Sequence, residues 1–155
     1  MNFPEEVTFQ FIDKKTKKPV INIPAILILY AHRKNNYTIE AKISDRSGKI
    51  NFTKEDCLRS IETSKKFYLM DYVSTLEDCL QKISLEILDR KTIIFIVNNR
   101  KKNKEIYKDY WDCSEEFINK LASAKNHKYL TRSYDFSEPD LWQNKILEIE
   151  LEDRR

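Results

Sequence analysis

The sequence predicts a β-rich α+β domain, two packed sheets with two helices added against an end or a face. Three observations carry that expectation. Apolar residues alternate in several runs, as at Val7, Phe9 and Phe11 and again at Leu147, Ile149 and Leu151, which is the period of a half-buried strand. Two segments change to helical period behind capping residues, Thr53 and Ser114,. Finally, 155 residues with 41% hydrophobic and 34% charged side chains are enough for one core without disulfides or a structural metal. A single domain over residues 1–155 is expected, with sandwich strands in 1–53 and a helix, a central hairpin, a second helix and a last strand in 54–155.

The first strand is Val7 to Ile12, closed by the polar turn Asp13-Lys14-Lys15-Thr16-Lys17-Lys18,. Val20 to Tyr30 reads as a second strand, but Pro19 and Pro24 lack an amide hydrogen, so it is expected at a sheet edge or with a break. Tyr37 to Ile43 alternates as a third strand, and Lys49 to Phe52 is a short fourth. Between them lies Gly48, the only glycine of the chain, expected to supply a positive φ in a tight connection. Other turns then fall to Asn, Asp, Ser and Lys.

Thr53 with Asp56 three residues on resembles a capping box, and Cys57, Leu58 and Ile61 share a helical face, which predicts a helix from about Lys54 to Ser64. Ile83, Leu85 and Ile87 alternate, while Thr92 to Val97 is apolar on both faces and rich in β-branched residues. These two runs are expected to pair as a central hairpin around Asp89-Arg90-Lys91. Asn98 to Glu105 is expected to be an exposed loop. Ser114 caps a helix from about Glu115 to Lys125 with Phe117, Ile118, Leu121 and Ala124 in its stripe, and a strand from Lys145 to Leu151 closes the chain,.

The net charge of +3, from 28 basic and 25 acidic side chains, is too balanced for the strong field of a dedicated nucleic-acid binder. The opening residues lack the features of a secretory signal, and the longest apolar run, Ala25 to Ala31, is too short to cross a bilayer. A cytoplasmic protein with no membrane partner is expected. Cys57, Cys79 and Cys113 are odd in number and widely spaced, which fits buried reduced thiols better than a disulfide framework or a zinc knuckle. No metal or other cofactor is expected. One glycine cannot build a phosphate-cradling loop, which excludes the Walker and dinucleotide-binding patterns. The two histidines, His32 and His127, offer little imidazole for a triad or a metal site,.

Three stretches, Val7-Thr8-Phe9-Gln10-Phe11-Ile12-Asp13, Lys18-Pro19-Val20-Ile21-Asn22-Ile23-Pro24-Ala25 and Ser44-Asp45-Arg46-Ser47-Gly48-Lys49-Ile50, resemble the carboxypeptidase regulatory-like domains. They are similar to that family's opening strand, its P-V-x-N approach to the second strand and its D-x-x-G turn. The resemblance implies a transthyretin-like (prealbumin-like), Ig-like β-sandwich for the first third of the chain, and a non-catalytic module for folding support, adhesion or protein recognition. It implies no active-site residue, and past Thr53 the likeness ends.

Two kinds of surface candidate remain. Aromatic residues are dense at Tyr68 and Tyr72 and again at Tyr107, Tyr110 and Trp111, where they serve either the core or a partner. Basic residues cluster at Lys14, Lys15, Lys17 and Lys18 and at Arg100, Lys101, Lys102 and Lys104. On one end of the fold these could track phosphates; otherwise they are solvated loop tips that discourage strand association. The expected function is a non-enzymatic protein-binding module, the partner being another protein. The alternatives are a small immunity-type or inhibitor protein that blocks one partner, and a nucleic-acid-binding accessory protein using the two basic loops.

Overall fold

A computed structural model describes residues 5–31, 36–68, 80–137 and 146–154. The elements in order are β1 (Glu6–Asp13), β2 (Pro24–Ala31), β3 (Asn36–Ile43), β4 (Lys49–Thr53), α1 (Lys54–Tyr68), β5 (Leu80–Ile87), α2 (Arg90–Lys102), the short α3 (Lys104–Tyr107), α4 (Glu115–Ser123), a 3-10 turn (Ala124–Asn126), β6 (Ser133–Phe136) and β7 (Ile146–Leu151). The strands form two sheets, a three-stranded β4-β1-β7 and a four-stranded β3-β2-β5-β6. The architecture is thus α+β and β-rich.

Alternation decides which side chains meet between the sheets. Val7, Phe9 and Phe11 of β1 are fully buried and join Leu27, Leu29, Ile83, Leu85, Ile50 and Phe52 in one core, with Phe9 edge-on to Phe52 at 6.1 Å between ring centroids. Burying side chains of this size is the main driving force for closing a sandwich. Helix α1 plugs the side of the sandwich where β3 and β4 meet, sending Cys57 and Ile61 into the same core. Its start is the expected capping box: the Asp56 amide donates to Thr53 Oγ1 at 3.1 Å, and the Thr53 amide donates to Asp56 Oδ2 at 2.8 Å. On the outer face of the four-stranded sheet, Ile93 and Val97 of α2 and Ile118 and Leu121 of α4 form a second core over Ala41, with Ile26 and Ile43 beside it. The layers are therefore sheet, sheet, helices.

Several expectations need correction. Thr92 to Val97 is part of helix α2 and not a strand, so β5 has no hairpin partner there and pairs with β2 and β6. Asp89 caps that helix, accepting from the Thr92 amide at 2.7 Å. The stretch from Asn98 to Glu105 is the last turn of α2 and the start of α3, and Arg100 within it is buried. Of the two alternatives posed by the prolines, the break is right: Pro24 is the first residue of β2, Pro19 makes an isolated bridge to Ile12, and β2 itself is an interior strand. As the first residue of a strand, proline forfeits no interior ladder bond.

Gly48 has the expected positive φ, +78°, but the connection it serves joins two sheets, since β3 and β4 belong to different ones. Lys17 and Asn22 also take positive φ, as a glycine-poor chain requires of such residues. Cys57 and Cys113 are buried free thiols, and Cys79 lies outside the described residues. No helix among the described residues is long and apolar enough to cross a membrane.

Candidate functional site

One irregularity in β3 organises the side chains with most chemical potential. Lys42 pairs with Ala25 and Ile39 pairs with Leu27, so Glu40 and Ala41 together oppose the single residue Ile26. This is a β-bulge, a device that re-aims side chains where a strand would otherwise alternate. Before it, Tyr37 and Ile39 point between the sheets; after it, Ala41 and Ile43 point outward to the helices. The flip delivers Glu40 to one side of α2 and Lys42 to α1.

Glu40 Oε1 receives Arg100 Nη1 at 3.3 Å and the Asp112 amide at 2.5 Å, and Arg100 Nη1 also donates to the Asp112 carbonyl at 2.8 Å. Strand, helix and the segment after α3 are thereby tied at one point. Burial pushes the Glu40 carboxyl up and the Arg100 guanidinium down, in each case as the largest influence, so the pair is expensive to desolvate. The guanidinium carbon lies 5.4 Å from the Trp111 ring centroid and 5.2 Å from that of Phe117. Trp111 in turn stacks on Tyr107, with centroids 4.4 Å apart and planes inclined by 26°. The aromatic segment is braced from behind by a cation.

On the other side of the bulge, Lys42 Nζ meets Asp56 Oδ2 at 2.5 Å and Arg59 Nη2 meets Asp56 Oδ1 at 2.6 Å. Burial raises the Asp56 carboxyl, but the hydrogen bonds from Lys42 and from the Thr53 amide outweigh it, and the group ends below its ordinary value. Between these two clusters runs a groove of about 520 Å³, bounded by β3, α1, the 108–112 segment and α4, with Arg59, Tyr110, Trp111, Phe117 and Lys120 along its walls. Carboxylates and cations both line it, Asp56, Asp109 and Asp112 with Lys42, Lys108 and Lys120.

Among the aromatic residues singled out from the sequence, Tyr107, Tyr110 and Trp111 are thus brought together and are partly exposed. Tyr68 is the last residue of α1, and Tyr72 lies outside the described residues. The basic residues are not brought together. Lys14 and Lys17 lie in the turn after β1, paired with Glu152 and Glu150 at 2.8 Å each, with Lys15 and Lys18 exposed beside them. Lys101 and Lys102 end α2 and Lys104 begins α3, in the helical layer, with the four-stranded sheet between the two groups. Sequence reading missed Glu40, Lys42, Arg59 and Lys120 as members of a site, and it assigned Asp56 and Phe117 to capping and packing alone.

His127 is engaged through both ring nitrogens: Nε2 lies 2.8 Å from the Leu88 carbonyl and so carries the proton, and Nδ1 accepts from the Tyr129 amide at 3.3 Å. His32 is outside the described residues. The Cys57 thiol, pushed up to about 12 chiefly by burial, is not a ready nucleophile. Among the described residues no group of three or more His, Cys, Asp or Glu is placed to hold a metal ion.

No family model matches the sequence, and no curated protein matches it. Among solved structures, a 9R-lipoxygenase from Cyanothece PCC8801 is similar at a TM-score of 0.33 and 15% identity, over 56% of this chain and 11% of that one. The chain spans about a tenth of that enzyme's length, and a likeness of this grade carries no argument about fold or activity.

Proposed function

We propose that the protein is a non-catalytic, cytoplasmic protein-binding module whose recognition surface is the groove beside the β3 bulge. The observation that carries this reading is the bracing of its aromatic wall. The Glu40–Arg100 pair is costly to bury on both sides,, and the same guanidinium packs against Trp111 and Phe117 and holds the Asp112 carbonyl. Aromatic side chains held rigid before binding lose little entropy on association, which is how interface hot spots are built. Charges of both signs along the rim suit a protein surface better than a polyanion.

The likeness of residues 1–53 to carboxypeptidase regulatory-like domains points the same way, towards a recognition module. An immunity-type or inhibitor protein is one form of this function, in which the groove blocks a single partner. Nucleic acid has less in its favour, because Lys14 and Lys17 are engaged by carboxylates and Arg100 is interior.

The test is affinity capture with the full chain at low and moderate salt, with and without nuclease, in parallel with Trp111→Ala. The expected result is a stoichiometric protein that survives salt and nuclease and is held about tenfold less by the variant, as for an aromatic hot spot. Retention that disappears with nuclease, or a partner held equally well by Trp111→Ala, overturns the proposal.

A further inference from the structure

The outer face of α2 breaks two local rules at once, although Arg90 in its first turn does donate to Asn126 Oδ1. Phe95 is 68% exposed and Ile94 38% exposed, with Ile106 of the neighbouring α3 at 50%. Large apolar side chains on a solvent-facing helix stripe are a feature of contact surfaces. The helix also contains Arg90, Lys91, Arg100, Lys101 and Lys102 and no acidic residue. Arg90 and Lys91 occupy its first turn, where the positive end of the helix dipole repels cations. Arg100 is turned inward to Glu40, and the other four cations are exposed.

Helical geometry fixes the arrangement of that face. Ile93, Val97 and Arg100 are the buried stripe, so Lys91, Phe95, Asn98 and Lys102, spaced four, three and four residues apart, form the opposite one. It extends about 16 Å at 1.5 Å per residue. An aromatic anchor therefore stands between lysines on a rigid helix, nearer to Lys91 than to Lys102. From this we propose that the outer face of α2 is a second docking surface, distinct from the groove, for a protein partner that presents an acidic amphipathic helix: its apolar side covers Phe95 and Ile94, and its carboxylates pair with Lys91 and Lys102.

Charge complementarity calls for an acidic occupant, and the shape of the face selects a helix over two other anionic partners. A bilayer needs a broad apolar face to hold a helix at its interface, and this one is narrowed by Asn98 and by Thr92, both exposed. A single nucleic-acid strand needs successive aromatic platforms along a basic track, and here Phe95 stands without a second ring on its stripe.

The experiment is fluorescence anisotropy on the intact chain with a labelled acidic amphipathic peptide of about sixteen residues, long enough to cover the face as a helix. A charge-reversed peptide, phosphatidylserine-containing vesicles and a single-stranded oligonucleotide are run beside it. The variants are Phe95→Ser, the pair Lys91→Glu with Lys102→Glu, and Trp111→Ala. Supporting the proposal are binding of the acidic peptide in preference to its charge-reversed version, a loss of about tenfold or more with either α2 variant, unchanged binding by Trp111→Ala, and unaltered thermal melting of Phe95→Ser. Equal binding by the α2 variants, no binding of the acidic peptide beyond that of its reversed control, or binding of vesicles or oligonucleotide in its place overturns it.

Discussion

Two constraints meet at Gly48. Its φ of +78° is one that side chains rarely adopt, and a Cβ there would lie 2.5 Å from the Phe11 carbonyl oxygen and 3.1 Å from the Val20 amide nitrogen. Those atoms cannot step aside, because the Phe11 carbonyl accepts from the Val20 amide at 3.0 Å and the Phe11 amide donates to the Gly48 carbonyl at 2.8 Å. Asp45 secures the same turn, its Oδ1 accepting from the amides of Ser47 and Lys49. Gly48→Ala therefore combines left-handed strain with a backbone clash, and a loss of about 3 kcal/mol is expected, read as a lower urea midpoint. A loss below about 0.5 kcal/mol, the level of an ordinary surface change, would mean the turn is free to rearrange. By contrast, Lys17 and Asn22 hold positive φ with exposed side chains, so their strain is conformational only. The glycine was legible in the sequence because it is unique; these two were not, because the other Lys and Asn among the described residues carry no such constraint.

The elements that could be read in advance are those whose signals are local. Thr53 with Asp56, and Ser114 ahead of Glu115 and Phe117, mark helix starts through contacts made within three residues. The strands β1, β3 and β7 announce themselves by alternation. Helix α2 was misread for a physical reason: a run apolar on every side hides its period, and Ile94 and Phe95 fill the side that should have been polar,. The bulge was invisible for another, since one residue added to a strand alters no composition, and its consequence, Glu40 against Arg100, joins positions sixty residues apart. A pair of substitutions separates the two readings of 92–97. On a strand, Ile93, Phe95 and Val97 would share a face and cost alike; on the helix, Ile93 is fully buried and Phe95 is 68% exposed,. Ile93→Ala is expected to cost about 3 kcal/mol and Phe95→Ala less than about 0.5 kcal/mol, measured by urea unfolding. Comparable losses at both positions would contradict the helix.

At the scale of the molecule, the last residues close the fold onto the first. β7 runs parallel to β1, with Thr8 opposite Ile146 and Asp13 opposite Leu151, and Arg154 donates to the carbonyls of Tyr129 and His127. The strand character of 146–151 was plain from its alternation, but its partner was not, because parallel pairing over such a separation leaves no local trace. Where this closure meets the first turn, Tyr129 Oη donates to Asp13 Oδ2 at 2.7 Å. The Thr16 amide first and the Tyr129 hydroxyl second hold the Asp13 carboxyl at about 2, below its ordinary 3.8. Since the folded value is the lower one, the unfolded chain binds more protons between them, and stability rises with pH through that window. The contribution is fully present above about 4 and is lost as the pH falls towards about 2,. Tyr129→Phe keeps the ring and removes one of the two main donors, so the folded carboxyl moves back towards 3.8 and the acid limb of stability becomes shallower. The Thr16 amide remains, so the limb is reduced and not abolished. Urea midpoints of both proteins across this window and up to neutral pH decide it: curves that diverge at neutral pH and draw together as the pH falls through the window show the clamp, whereas curves separated by a constant offset would mean that Tyr129 acts through packing and that Asp13 is held by its own turn.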